Sequence, residues 1–354
     1  MFVRQRHVAV WIVSLLASSG CSSSDAGSDE DVFRVEAFVS PPPEFRPQTR
    51  WWWPGGAVDE STLREHLGEL SEAGYGAVEI QPFMSAVTNA DIAEDARIRT
   101  VGDAAFRERL RDAACAARDL GLSWDLTLGS GWSTGGINID ADAERQLIAA
   151  ELTLSGPDSY TGPLPQPTPP SWIEDTNAVL LAIDGFDEDL QLVAVLAAEV
   201  IDEPSNPPAT LGDVRDLTSQ VSEGMLTWEV PGGTHRVFAV YENRTFHFPA
   251  GGAYPGALED ARVIDHLDRR GVQAFIDREF AAWIEAVSDC PPRAVFVDSF
   301  ELVGELPWTT GLDSRFEATL DYAIEPLLPF LFREGGESEY VDLLRGIGAP
   351  RYQA

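Results

Sequence analysis

The chain has 354 residues, enough for one large domain or two ordinary ones, and 44% of them are hydrophobic, so it can bury a core. It carries 25 Lys+Arg against 58 Asp+Glu, a formal net charge of −33. That balance argues against nucleic acid and against an anionic membrane surface, since both recruit clustered cations. It suits a neutral substrate or a cation, and most of the acidity reads as a solubility device.

In chain order, Arg4, Arg6 and His7 form a basic start, and residues 8–17 an apolar run too short to span a bilayer. Ser18-Ser19-Gly20-Cys21 follows, small residues before a cysteine. Residues 1–21 therefore resemble a bacterial lipoprotein signal peptide with Cys21 as the lipidated residue, although Ser18 stands where that box usually has Leu. An ordinary secretory signal cut nearby is the alternative. Either predicts an exported protein, at the periplasm or outer membrane or secreted, touching a membrane only through a lipid anchor. Residues 22–41 read as a flexible tether, because 22–31 contain no core-forming residue.

From residue 42 the pattern alternates. Residues 50–53 predict a short strand stopped by Pro54-Gly55-Gly56. Leu63, Leu67 and Leu70 share a helix face that ends at Gly74. Residues 77–80 predict a second strand. Phe106, Leu110, Ala113, Ala117 and Leu120 mark a second amphipathic helix, and residues 122–128 a third strand. This β-α-β-α-β order implies parallel strands with right-handed crossovers, and residues 42–155 are assigned to the first half of a barrel portion.

The rhythm then breaks. Residues 156–170 are rich in Pro and Gly and read as a connection, and β-type runs follow at 178–183, 192–201, 225–230 and 236–241. Residues 156–250 are therefore expected to form an inserted antiparallel module. Over 251–335 the first rhythm resumes. Val272, Phe275, Ile276, Phe280, Trp283 and Val287 predict a long helix, residues 294–297 a strand ending in Asp298, and residues 314–322 another helix. Residues 336–354 form an atypical tail. The expected fold class is α/β: a partial (β/α)8 barrel of about four βα units with the module inserted after the third. Cys115 falls on a helix and Cys290 in a turn; pairing and two unpaired small residues both remain open.

In α/β barrels ligands sit at the carboxyl ends of the strands. There the sequence places Trp53, Glu79, Asp125, Trp132 and Asp298, with Glu301 just beyond. Indole faces stack on the C–H faces of a pyranose, carboxylates bind its hydroxyls, and glycoside hydrolysis needs two carboxyl groups. Glu301 is the candidate general acid. A helix cap is the alternative for Asp298, and a solvated loop charge for Glu301. Of the three tryptophans, Trp53 is expected at the sugar and the other two as core anchors in a strand buried on both faces. Gly129-Ser130-Gly131 does not match a dinucleotide loop, because the spacing is GxGxxxG and Trp132 would crowd a pyrophosphate. No G-x-S-x-G or H-E-x-x-H pattern occurs, and the five histidines are scattered, His266 reading as structural.

Four blocks together resemble glycoside hydrolase family 106, the α-L-rhamnosidases: RWWWPGGAVDESTLREHLGELSEAGYGAVEIQPF, WDLTLGSGWSTGG, VIDHLDRRGVQAFIDREF and FVDSFELVGELPWT. They come in the family order and cover roughly 42–332. The resemblance implies an inverting hydrolase acting on rhamnose-containing glycans, with Glu301 as acid, a glutamate base on a later strand, and calcium near the sugar. Asp298, Glu79 and Asp125 offer the hard oxygen ligands such an ion prefers. Residues 302–354 contain no segment resembling the base-bearing block. The expectation is therefore a truncated and inactive form, with a non-catalytic carbohydrate-binding lipoprotein or a non-functional gene remnant as the alternatives. A missing base would remove on the order of 10² to 10⁴ in rate.

Overall fold

A computed structural model describes residues 35–84, 91, 94–137, 139–168, 186–202, 210–256, 260–300, 302 and 304–332. The signal segment with Cys21, the run 178–183, Glu301 and the tail lie outside the described residues. The chain divides after Pro41. Before that point the described part is one helical turn, α1 (Val35–Val39). After it come β1 (Gln48–Pro54), α2 (Glu60–Glu72), β2 (Ala77–Phe83), α3 (Ala104–Asp119), β3 (Ser123–Thr127) and β4 (Gly135–Ile137). Then follow β5 (Arg145–Pro163), β6 (Gln191–Asp202), β7 (Thr210–Asp216), β8 (Val221–Ser222), β9 (Met225–Arg244) and β10 (Ala261–Val263). The last elements are α4 (Arg269–Phe275), a π turn (Ile276–Phe280), α5 (Ala281–Ala286), β11 (Ala294–Phe296), β12 (Leu306–Trp308), α6 (Leu312–Leu320) and α7 (Pro329–Phe332). Among the described residues no helix is long and apolar enough to cross a membrane.

β1, β2, β3 and β11 form a four-stranded sheet in that order, with every pair parallel. Parallel neighbours need crossover connections, and α2 and α3 supply the first two. α2 buries Leu63 and Leu67, one turn apart, and the chain leaves it through Gly74 at φ 86°. The Asp103 carboxylate caps α3 by accepting from the Phe106 amide at 2.6 Å. α3 buries Phe106, Leu110, Ala113 and Ala117, four of the five residues its periodicity predicted, while Leu120, just past the helix end, is 42% exposed. The long helix expected around 272–287 is one helical run from α4 through the π turn to α5.

Alternation along the strands splits this sheet into two unlike faces. Trp51, Trp53, Val78, Ile80, Trp124 and Leu126 point into the helix layer, against Leu67, Phe106, Phe275 and Trp283. The opposite face carries Arg50, Glu79 and Asp125 side by side, in register with Ala294. The expectation that the tryptophan strand is buried on both faces is therefore corrected: Trp52 is 53% exposed.

The second sheet is antiparallel and curled, in the order β12-β5-β9-β6-β7, with β8 pairing β9. β5 pairs with β9 from Arg145↔Arg244 to Pro163↔Met225. The connection expected over 156–170 thus continues as strand to Pro163. A register shift between Gly156 and Asp158 takes Pro157 out of the ladder, which is how a strand tolerates a residue without an amide proton. Both faces are apolar. Leu196, Phe238 and Val240 pack on Trp308, Leu312, Phe316 and Leu328, so α6 and the segments beyond it cover that side. Val195, Val237 and Ala239 on the other side meet Leu217, Leu226 and Trp228.

Cys115 and Cys290 are joined in a disulfide with a Cα–Cα distance of 5.3 Å. Of the two readings open in the sequence, pairing is the one observed. The bond ties α3 to the turn that feeds β11.

Candidate active site

On the polar face of the parallel sheet, Arg50 of β1 lies between two carboxylates. Its Nε is 3.2 Å from Glu79 Oε1, and its terminal nitrogen is 3.8 Å from Asp298 Oδ2 just past β11. The guanidinium also sits 4.5 Å over the Phe296 ring, an arrangement in which the ring quadrupole favours the cation. Thr127 of β3 donates its hydroxyl to Glu79 Oε1 at 2.8 Å. Glu79, Arg50, Thr127 and Asp298 are thus one cluster spanning all four strands. Thr127 is buried, but the three charged side chains are partly open to solvent, so the ion pairs contribute modestly to stability and mainly fix side-chain positions.

Two residues further along β2 lies Gln81, in register with Trp52. It is 1% exposed, and neither its amide oxygen nor its amide nitrogen has a hydrogen-bond partner. Next on the same face is Phe83, the centre of an aromatic row. The Trp52 ring meets it edge-on at 5.0 Å, and Trp132 stacks on it at 4.7 Å with 21° between the planes. This row of Trp52, Phe83 and Trp132 is an amphipathic platform at the carboxyl ends of β1, β2 and β3.

Trp132 is delivered by the segment after β3. Gly129 and Gly131 take φ of 90° and 80°, and a Cβ at Gly129 would meet the Tyr254 hydroxyl at 2.8 Å. These glycines serve close packing, not phosphate binding. Tyr254 accepts from the Ser130 amide at 2.9 Å and donates to the Gly135 carbonyl, and burial pushes its phenol well up. Ser130 Oγ donates to the Pro82 carbonyl at 2.8 Å and accepts from the Ala253 amide at 2.9 Å. Ser133 donates to the carbonyl of Phe300, which couples this loop to the residue preceding Glu301.

Beside that coupling is a cavity of about 620 Å³ whose lining includes Leu128, Val272, His266, Val297, Phe300 and Leu302. The His266 ring packs 4.5 Å from the Phe300 ring. Its Nδ1 lies 2.9 Å from the Ile264 carbonyl, so Nδ1 carries the proton, and burial pushes the imidazole down to about 4. His266 packs against Phe300, and its Nε2 has no hydrogen-bond partner.

The residues expected at the site thus fall into three groups. Glu79 and Asp298 are brought together on Arg50, with Trp132 further toward the strand ends on Phe83. Trp53 and Asp125 are not. Trp53 is 1% exposed and packs against Trp51 and Phe106 in the helix-side core, because its position in the alternation faces the helices. Asp125 shares the polar face, but both its oxygens are taken by Arg293, at 3.1 and 2.5 Å. Arg293 also donates to Gln48, the first residue of β1, so Asp125 is turned to that arginine although it stands in register with Glu79. Glu301 lies outside the described residues. Arg50, Trp52, Gln81, Phe83 and Ser133 were not singled out from the sequence; the parity of Arg50 with Trp52, and of Glu79 with Gln81, was the signal available.

Each of the carboxylates named for calcium has an arginine partner. Glu79 and Asp298 flank a guanidinium, Asp125 is bound to another, and among the described residues no three Asp, Glu, His or Cys side chains cluster as a metal site.

A sequence model of glycoside hydrolase family 106, described as alpha-L-rhamnosidase, matches residues 39–181. That span contains β1, β2 and β3 with the Gly129–Trp132 segment, and so most of the polar face and the whole aromatic row. Among solved structures, the rhamnosidase from Novosphingobium sp. PP1Y aligns over 84% of this chain and 42% of that chain, with a TM-score of 0.53 and 18% sequence identity. At that identity the likeness establishes a shared fold. This chain spans 42% of the length of that rhamnosidase. No curated protein matches the sequence. The resemblance to the α-L-rhamnosidase family is thus present in sequence over residues 39–181, and the likeness of fold extends beyond it.

Proposed function

We propose that this chain carries the sugar-binding and acid-bearing part of a glycoside hydrolase of the α-L-rhamnosidase type, acting on rhamnose-containing glycans. The observation that carries the proposal is a coincidence of place. The segment matching the family is the segment that builds an aromatic row beside a polar sheet face. A pyranose presents both kinds of surface, C–H faces for the rings and hydroxyls for Arg50, Glu79, Gln81 and Thr127. In this reading β1, β2, β3 and β11 are the first four strands of a (β/α)8 barrel with its polar face inward. Trp52 takes the platform role expected of Trp53. Glu301, following β11 between Phe300 and Leu302, delivers the proton to the leaving oxygen.

A second reading has an observation of its own. Among the described residues, the carboxylates on the polar face are each held by a guanidinium, so none stands free to activate water. Such a face binds a sugar without hydrolysing it. An export route through Cys21 accompanies both readings. The Cys115–Cys290 disulfide supports it, because such bonds persist in oxidising compartments.

The deciding experiment is hydrolysis of an aryl α-L-rhamnoside by the purified chain, alongside Glu301→Gln. Turnover that falls by about 10²-fold or more in the variant, with rhamnose binding retained, supports the first reading. Binding of rhamnose without turnover supports the second. A chain that neither binds nor hydrolyses rhamnosides sinks both.

A further inference from the structure

Among the described residues, Gln81 is the one side chain on the polar sheet face whose hydrogen-bonding capacity is wholly unused. It is 1% exposed, its amide oxygen and nitrogen both lack partners, and it sits on β2 at the ligand end of the sheet. Buried amides are nearly always paired, because stripping water from a donor and an acceptor without replacement is unfavourable. Its surroundings are built. Two residues before it on the same face, Glu79 is fixed by Thr127 at 2.8 Å and Arg50 at 3.2 Å through Oε1 alone, so Oε2 makes neither bond. In register beside it is Trp52, half open to solvent, and two residues after it is Phe83, under Trp132. Gln81 is thus next in the strand ladder to Trp52, the half-exposed ring of the aromatic row, and its amide has one acceptor and a two-hydrogen donor to offer once it is uncovered.

We infer that Gln81 binds a vicinal diol of the substrate, its carbonyl accepting from one hydroxyl while its NH₂ group donates to the neighbouring one. This rests on the glycosidase reading and names the substrate feature that this face recognises. An amide oxygen and nitrogen on one planar carbon are spaced like two hydroxyls on adjacent ring carbons, so one side chain answers both. A carboxylate in its place would accept twice and donate to neither. The inference gives the polar face two jobs: Arg50, Glu79 and Thr127 hold one another in position, and Gln81 discriminates among sugars by their hydroxyl pattern. A 2-deoxy or 3-deoxy analogue leaves half of the amide unsatisfied and binds more weakly, because a site built for a hydroxyl penalises its loss.

The test pairs binding with stability in the whole chain. L-rhamnose is titrated against wild type and Gln81→Leu, read by tryptophan fluorescence, and each protein is melted without sugar. Leucine has nearly the shape of glutamine and no polar atoms. Removing an unpaired buried amide should leave the melting temperature unchanged or raised, while rhamnose affinity falls at least tenfold. Gln81→Met repeats the measurement with a more adaptable side chain. Wild-type affinity in both variants would show that the amide holds only a buried water, and would overturn the inference while leaving the glycosidase reading intact. A melting temperature that falls in both variants would assign Gln81 to the fold instead. A wild type that shows no response to rhamnose removes the parent reading, and with it this one.

Discussion

The two larger sheets among the described residues solve the same problem in opposite ways. The antiparallel sheet is apolar on both faces: Phe238 and Val240 look one way, Val237 and Ala239 the other, and each side is sealed by its own cluster. Its charged pairs, Arg145 with Glu242 and Arg236 with Glu151, join neighbouring strands and are partly buried. The parallel sheet is apolar on one face only, and its other face carries a charged cluster, an unpaired amide and a row of rings. A sheet with two apolar faces is a scaffold. A parallel sheet normally has both faces covered, and this one carries ionisable and amide groups on one of its faces.

Aromatic deletions break this comparison most sharply. Trp53→Ala removes a fully buried indole from the helix-side core and should destabilise by about 3–5 kcal/mol, a large drop in melting temperature. Trp52→Ala, on the neighbouring residue, should change stability by about 0.5 kcal/mol or less, since that ring is half exposed and lies off the core, yet weaken rhamnose binding. If the two variants melt alike, the division of the strand into a core face and a ligand face is wrong. Next in size is the covalent tie behind the sheet. Cys115→Ser, or reduction, should cost about 2–5 kcal/mol, read as a lower melting temperature under a reductant that leaves Cys115→Ser itself unaffected.

Asp265 offers a pH-dependent test of the structure between the two sheets. It lies after β10, accepts from the Thr309 hydroxyl just past β12 at 2.6 Å, and burial raises its carboxyl to about 6. A folded-state value above the ordinary 3.8 means that the folded chain holds the proton more tightly. The stabilisation is therefore complete below about 3.8 and is lost as pH rises through about 6, on the order of 2–3 kcal/mol in all. Relative to Asp265→Asn, which does not titrate, wild type should lose stability between pH 4 and pH 7. A constant difference in melting temperature across that range would show that Asp265 keeps an ordinary value. The smallest effect is at the ion cluster. Arg50→Met should cost about 1 kcal/mol or less, because the pair is a third exposed, while loosening Glu79 and Asp298 and weakening sugar binding by more than its stability change suggests.

Much of this was written in the chain. Helical periodicity named the buried faces of α2 and α3, because residues three and four apart share a face whatever they pack against. The β-α-β-α-β order predicted parallel strands, since a short chain segment with an intervening helix has little else it can do. The four sequence blocks pointed to the α-L-rhamnosidases before any geometry was known. The second half of β5 was not legible, because Gly156, Pro157, Gly162 and Pro163 read locally as a turn, and only the pairing offered by β9 holds them extended.

What only the tertiary structure decided was direction. Three tryptophans in a row necessarily alternate, and composition cannot say which parity meets the helices. The packing of Trp53 against Phe106 and Trp51 chose it, and in doing so turned Trp52, Glu79 and Gln81 to the other side. In the same way the sequence placed Asp125 on a strand beside Glu79, but it could not show that Arg293, which stands 168 residues later in the chain, would claim both its oxygens. Periodicity is local and survives in any fold. Which face becomes the core, and which charge finds a partner, depends on segments that meet only when the sheet is assembled.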